Sequence, residues 1–457
     1  MNEEYLSIRS TMQSYFDSGA TLPVSARIEH LIKLKKTILQ WEDRLYDACM
    51  KDLGKSSFET YETEIGIVQA EISHTLRHLK KWAKPKRVPT PLAHFPSSSY
   101  IIRQPKGVVL VMSPWNYPIQ LSLVPLACAL AAGCCVLLKP SRYSRNVSSV
   151  LKQMLDSCFD PALVSVVEGG HQANTDLLQL RWDHIFFTGS PAVGKIVMEA
   201  AARQLCPVTL ELGGKSPCII DGSVNMKTAA VRLAWGKFLN AGQTCVAPDY
   251  LLINEKCRDE FVDEFRKAVR KLYPQGVNSP DLGKIINEKH FQRLRHLLEN
   301  QKIIIGGEID EKTMKIAPTL LDETDPESPV MQEEIFGPIL PMITWKDFDE
   351  AVDFVRSREK PLALYIFSKD KKHIRQVQER LTYGGGCIND TIVHLSNPCM
   401  PFGGVGASGM GSYHAKQGFD TFTHEKSTLK KALWLDIPVR YAPYSSRLIR
   451  LLKLLMR

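Results

Sequence analysis

The sequence predicts an α/β protein built on two doubly wound parallel sheets. Three observations carry this. Short apolar runs such as GVVLVM (107–112), CCVLL (134–138) and LVSVV (163–167) lack the polar alternation of a half-exposed strand, so they read as strands covered on both faces. Segments of helical length separate them, as parallel strands require. The chain has 457 residues, more than one hydrophobic core organises, so two or three domains are expected.

The elements follow in order. Residues 24–83 are helical in pattern, with Ile28, Leu31, Ile32, Leu45 and Ile65 at spacings of three or four within segments. Residues 84–106 are rich in Pro and Ser and read as an extended excursion. GVVLVM is then followed by a helix near 119–132, and CCVLL by one near 145–157. LVSVV, HIFF (184–187) with a helix from Pro191 to about Leu205, and PVTLEL (207–212) complete the first sheet. PCII (217–220), YLLI (250–253), KIIIG (302–306), ILPMIT (339–344) and LALYIF (362–367) supply a second. Residues 121–138 carry no charge and imitate a membrane span. Pro125 and Gly133 interrupt the run, which reads as a buried helix stopped by glycine before a core strand.

Composition narrows the classes. At 44% apolar and 23% charged the chain resembles an ordinary soluble globular protein, and no basic leader opens it. Its eleven cysteines include no CxxC pair, which argues against a disulfide framework or a zinc cluster. A reducing, cytoplasmic setting is expected. From Glu425 to Arg457 there are eight Lys or Arg and two acids, so most of the net +9 sits in the tail. The rest is nearly neutral, and a nucleic-acid surface is not expected. On a helix, residues 445–457 would align Arg447, Arg450, Lys453 and Arg457 in one stripe beside Leu448, Leu451, Leu452 and Leu455. Such a segment spans roughly 20 Å, too short to cross a bilayer. It suits an anionic membrane surface, the protein body or a partner subunit.

The strand ends carry the chemistry. Ser113-Pro114-Trp115-Asn116-Tyr117 follows GVVLVM, and Lys139-Pro140-Ser141-Arg142 follows CCVLL. After HIFF comes Thr188-Gly189-Ser190, with Gly194 and Lys195 further on, opening a helix. Glycines there let backbone N–H groups approach a phosphate, although such a turn alone also serves plain structure. Glu211-Leu212-Gly213-Gly214 ends the sheet, and Glu211 is by itself equally a general base or a structural acid. Cys245 lies in NAGQTCVAP (240–248) among turn formers, unlike the cysteines with apolar neighbours. A thiol near a carboxylate is a nucleophile-and-base arrangement.

With PWNYP, FTGSPAVGK, LELGGKSP, GQTCVAP, EEIFGP and PFGGVGASGMG in this order, the chain resembles the aldehyde dehydrogenases, class 3 above all, from about Arg27 to Tyr444. The resemblance implies a Rossmann-like cofactor domain (1–83 and 107–210), a catalytic domain (211–421), and an oligomerisation element (84–106 and 422–457) serving a homodimer. It implies that Cys245 attacks the aldehyde, that Asn116 and the Cys245 backbone N–H form the oxyanion hole, and that Glu211 activates the hydrolytic water. NAD or NADP would then meet Ser113, Pro114, Trp115, Lys139, Ser141, Gly189, Ser190, Gly194, Leu212, Glu334 and Phe336, with Glu334 also given a proton-transfer role. Tyr117 and Asn389 would shape the substrate side, and no metal is implied. The chain departs from the family at Arg142, where relatives usually place a glutamate that binds the adenosine ribose. An arginine can instead pair with a 2′-phosphate, which leans toward NADP; the alternative is that Arg142 points to solvent. Two other readings remain: a non-redox cysteine hydrolase and an idle scaffold. Glu211 disfavours a coenzyme A-acylating enzyme.

Overall fold

The computed structural model describes residues 2–436 and 438–455. Five of the apolar runs form a sheet with Gly409–Met410 added at one edge. Its order is Gly409–Met410, Val208–Glu211, His184–Thr188, Val108–Met112, Cys135–Lys139 and Val164–Val166. All pairs but the first are parallel. Every residue of the three central strands is buried, the reason they are apolar on both faces. Each Val, Leu or Ile so covered contributes about 1.5–3 kcal/mol.

The winding positions the site. From Val108–Met112 the chain adds two strands on one flank, then returns to lay His184–Thr188 on the other. Neighbouring strand order thus reverses between Val108–Met112 and His184–Thr188, and a crevice opens there at the carboxyl ends, where such sheets take ligands. Register levels those ends: Met112 pairs with Lys139 and with Phe187, and Thr188 with Glu211.

A second sheet runs Lys302–Ile305, Thr319–Asp322, Ile339–Trp345, Tyr250–Asn254, Pro217–Ile220, Ala363–Phe367, Gly385–Ile388. Only Lys302–Ile305 is antiparallel; it lies at the edge with Ile303 exposed, so its apolar run is not a covered core strand. A third sheet joins Lys86–Val88, Ser97–Pro105 and Thr423–Lys431, all antiparallel, with Thr423 opposite Pro105 and Lys431 opposite Ser97. The excursion at 84–106 and the segment after 422 are therefore one structural unit.

Two sequence expectations need correction. Residues 402–421 read from sequence as part of the second domain, yet Gly409 pairs with Glu211, and Tyr413 and Phe419 belong to the first core. Ile32 faces solvent while Leu31 and Leu34 fill that helix's inner stripe. The Gln120–Ala132 helix, closed by Gly133 at φ 93°, is buried throughout, and among the described residues no helix is long and apolar enough to cross a membrane. A helix at Glu3–Asp17 precedes the 24–83 region. The tail forms a helix, Ser446–Leu455, with Arg447, Arg450 and Lys453 exposed and Leu448 and Leu452 half-buried. Arg457 and the side chains of Leu451 and Leu455 lie outside the described residues.

Candidate active site

Each strand end of the first sheet delivers its segment to one edge. Ser113 is held by its N–H donating to Lys139 O at 3.1 Å and by a 2.7 Å hydroxyl contact with Ser122. Lys139 is buried and donates to Gly169 O at 2.6 Å and Pro140 O at 3.0 Å. Burial, then the nearby Arg142 charge, pulls its ammonium down to about 8. Ser190 caps the helix Pro191–Ala202 by accepting from Val193 N–H at 3.5 Å, and Gly189 N–H donates to Glu211 O at 3.0 Å. Gly194 must lack a side chain: a Cβ there would stand 2.8 Å from Leu212 Cδ2, so this glycine seats the helix on Leu212.

Cys245 comes from the second domain, on the loop between helix Met226–Phe238 and strand Tyr250–Asn254. Three consecutive residues of that loop have left-handed backbone: Asn240 (φ 53°), Ala241 (φ 52°) and Gly242 (φ 73°). Gly242 is required, since a Cβ would meet Gly337 O at 2.2 Å. Gln243 ties the turn down, donating to Asn240 O and Lys284 O and accepting from Ile286 N–H at 3.0 Å. Tyr365 Oη donates to Val246 O at 2.5 Å.

These elements converge. Asn116 Nδ2 donates to Gln243 O at 3.1 Å, and Tyr117 Oη lies 2.6 Å from Thr244 Oγ1, so the first-domain loop grips the residues next to Cys245. Glu334 is aimed at the Glu211 strand end: a Cβ on Gly213 would strike its Oε2 at 2.2 Å. Its loop is fixed by Asp249, which accepts from Ile335 N–H at 2.9 Å, and by Lys215, which donates to Glu333 O at 2.9 Å and pairs with Asp249. Phe336, at φ 53°, packs edge-on against Trp115 with centroids 5.4 Å apart. Pro114 lies between Ser113 and this ring.

The site is dry. Both oxygens of Glu211 and Oε1 of Glu334 are buried without a hydrogen-bond partner among the described residues. Burial pushes both carboxyls well above the ordinary range. Burial also pushes the Cys245 thiol up, and the facing Glu334 and Glu211 carboxylates push it further. Buried polar atoms without partners are rare and call for a ligand or a proton-transfer role. The unpaired acceptor of Glu334 suits a hydroxyl donor such as a ribose, and the Gly189–Ser190 helix start suits a phosphate.

Two expectations do not converge here. Asn389 spends its amide on Ser368, accepting from its N–H at 2.8 Å and donating to its O at 3.0 Å, so it fastens two strand ends instead of facing a substrate. Arg142 is exposed, its guanidinium 5.1 Å from the Tyr143 ring centre and its side chain beside Gly170. Ser141 does local work, accepting from Tyr143 N–H at 3.2 Å. Sequence reasoning missed Lys55, Glu59 and Glu64, which reach this site from more than fifty residues away.

Comparison with known proteins agrees with this arrangement. Residues 2–428 match the model of the aldehyde dehydrogenase family. The chain is 48% identical to a 4,4'-diaponeurosporen-aldehyde dehydrogenase of Staphylococcus aureus over 95% of each chain. It is 46% identical to human aldehyde dehydrogenase family 3 member B1 over 97% of this chain and 96% of that one. A solved structure of Staphylococcus aureus AldH in a substrate-bound state superposes with a TM-score of 0.97 at 46% identity over the whole of both chains. Alike in sequence and in fold along its length, the chain belongs to the aldehyde dehydrogenase family and is an enzyme that oxidises aldehydes to carboxylic acids.

Proposed function

We propose that Cys245 is the nucleophile, Asn116 and the Cys245 backbone N–H the oxyanion donors, and Glu211 the hydrolytic base. The observation that carries this is the Asn116 amide held against the Cys245 loop, together with a buried Glu211 carboxyl that has no hydrogen-bond partner among the described residues and whose charge reaches the thiol. The Glu334 carboxylate takes the Sγ proton, Sγ bonds to the aldehyde carbon, and the two N–H donors hold the oxygen that gains charge. A nicotinamide dinucleotide, when bound, would accept hydride from the carbon joined to Sγ, which leaves a thioester on Cys245. Glu211 then takes a proton from water, whose oxygen attacks the thioester carbon; the C–S bond breaks and the acid leaves. Lys139, Ser190, Gly189 and Glu334 would hold the cofactor's ribose and phosphate groups.

Aromatic walls from Trp115, Tyr117 and Phe336 favour medium- or long-chain aliphatic or aromatic aldehydes. Initial rates of nicotinamide reduction with decanal, run in parallel with NAD⁺ and NADP⁺, test the proposal. Reduction with neither across several aldehydes would defeat it. The non-redox hydrolase reading gains no support, because the chain matches the aldehyde dehydrogenase family along residues 2–428.

Arg142 extends the proposal to NADP⁺ use: swinging from Tyr143, its guanidinium can pair with a 2′-phosphate next to Lys139. Arg142→Glu is expected to move the NADP⁺/NAD⁺ ratio of kcat/KM toward NAD⁺ by about 10-fold or more, as one charge-assisted pair is worth about 1.5–3 kcal/mol. An unchanged ratio would leave Arg142 a solvent residue. The three-stranded unit with its exposed Thr423–Lys431 strand suits a homodimer, for which light scattering should give twice the 51.5 kDa chain mass. The exposed basic stripe of Ser446–Leu455 suits an anionic membrane surface. Deleting 445–457 should abolish co-sedimentation with phosphatidylglycerol vesicles; undiminished binding would remove the tail from that role.

A further inference from the structure

The loops around Cys245 rest on a buried polar network from the N-terminal helices. Lys55 Nζ donates to Glu64 Oε1 at 2.7 Å and to Asn116 O at 3.4 Å, and it lies 4.2 Å from the Tyr117 ring centre. Glu64 Oε2 accepts from the N–H groups of Ile119 at 2.7 Å and Gln120 at 3.3 Å, where the helix Gln120–Ala132 begins. A carboxylate there satisfies N–H groups that a helix start leaves open. Glu59 Oε1 accepts from Asn240 N–H at 2.8 Å. Asn240 Nδ2 closes the circuit, donating to Asn116 O at 2.8 Å and Gln243 O at 3.2 Å.

Lys55, Glu59 and Glu64 are all buried. They touch both halves of the oxyanion pocket: the Asn116 loop of the first domain and the Asn240–Cys245 loop of the second. Both halves need such support. Asn240 and Ala241 sit in left-handed backbone that persists only where surrounding structure enforces it. The segment carrying Glu64, Tyr61–Ile65, is a single π-helical turn, a device that recurs beside functional sites. Burial raises the Glu59 carboxyl to about 7 against the opposing pull of Lys55 and the Asn240 N–H.

We propose that Lys55, Glu59 and Glu64 are positioning residues for aldehyde oxidation, setting the separation of the Asn116 amide and the Cys245 backbone N–H so that both reach one oxyanion. This rests on the function proposed above. A network that only braced the two domains would affect stability without singling out the step in which the oxyanion forms.

The test compares Glu59→Ala, Glu59→Gln and the double variant Lys55→Met/Glu64→Gln, which removes both charges and leaves neither unpaired. Four quantities are read on each full-length enzyme: single-turnover nicotinamide reduction with decanal, cofactor Kd by fluorescence, melting temperature, and alkylation of Cys245 by iodoacetamide, which forms no oxyanion. Glu59→Ala and the double variant should slow the single turnover about 30- to 300-fold, the scale of a lost or misplaced oxyanion donor, with alkylation and cofactor Kd within about 3-fold of the parent. Glu59→Gln, whose amide oxygen still accepts from Asn240, should recover most of the rate. Single turnovers within about 3-fold of the parent would overturn the proposal. So would parallel losses in all readouts, or a Glu59→Gln enzyme no better than Glu59→Ala. A parent enzyme inactive with every aldehyde would instead overturn the function proposed above.

Discussion

Cys245→Ala protein is expected to retain its fold and to lose aldehyde-dependent nicotinamide reduction, to below about one part in 10⁴ of the parent rate, as removal of a covalent nucleophile does elsewhere. The remaining Asn116 and backbone donors have nothing to stabilise without a carbon–sulfur bond. A melting temperature close to the parent should accompany the loss, since Cys245 is only partly buried. The thiol is held neutral by burial and by two carboxyls, so alkylation of the parent by iodoacetamide, followed at the Cys245 peptide, should be slow at pH 7 and rise steadily into alkaline solution. Fast alkylation at pH 6 would show a preformed thiolate and contradict this picture. Cys399, the exposed cysteine, serves as internal reference.

Glu211→Gln is expected to separate the two halves of the reaction. Sγ attack and hydride departure do not require Glu211, so one equivalent of reduced nicotinamide should form rapidly. Steady turnover should then fall by about 10²–10³-fold, within the range for loss of a general base. The sign with pH follows from the raised carboxyl: Glu211 is an acid at low pH and gains base competence as pH climbs through its elevated pKa. Deacylation in the parent should therefore rise with pH, and this limb should vanish in Glu211→Gln. Loss of the initial equivalent as well would mean that Glu211 acts before the thioester forms.

Much of this was legible in the sequence because the fold's signals are local. Val108–Met112, Cys135–Lys139 and His184–Thr188 are buried on both faces, so each is an unbroken apolar run, and whatever follows each run must emerge at the same edge. The segments carrying Asn116, Lys139 and Ser190 therefore share one edge on sequence grounds alone. Gly409–Met410 could not be read, because a two-residue strand has no periodicity and its partner lies near 210. Thr319–Asp322 has only two apolar residues between polar ends, and Gly385–Ile388 opens on two glycines, so neither forms an apolar run. Lys55, Glu59 and Glu64 escaped for another reason. Charged residues in a helical stretch ordinarily face water, and only tertiary contact with Asn116, Ile119 and Asn240 buries these three. The pairing of the Asn389 amide with Ser368, 21 residues away, has no local signal in the sequence.

The most direct measurement is the intact mass and peptide map of Glu211→Gln protein, acid-quenched after mixing with decanal and cofactor. The expected result is one decanoyl group per chain, on the Cys245 peptide alone, appearing as fast as the first equivalent of reduced nicotinamide. Reduced nicotinamide without an acyl adduct, or an adduct on another cysteine, would contradict the assignment of Cys245 as nucleophile and Glu211 as the base that releases the acid.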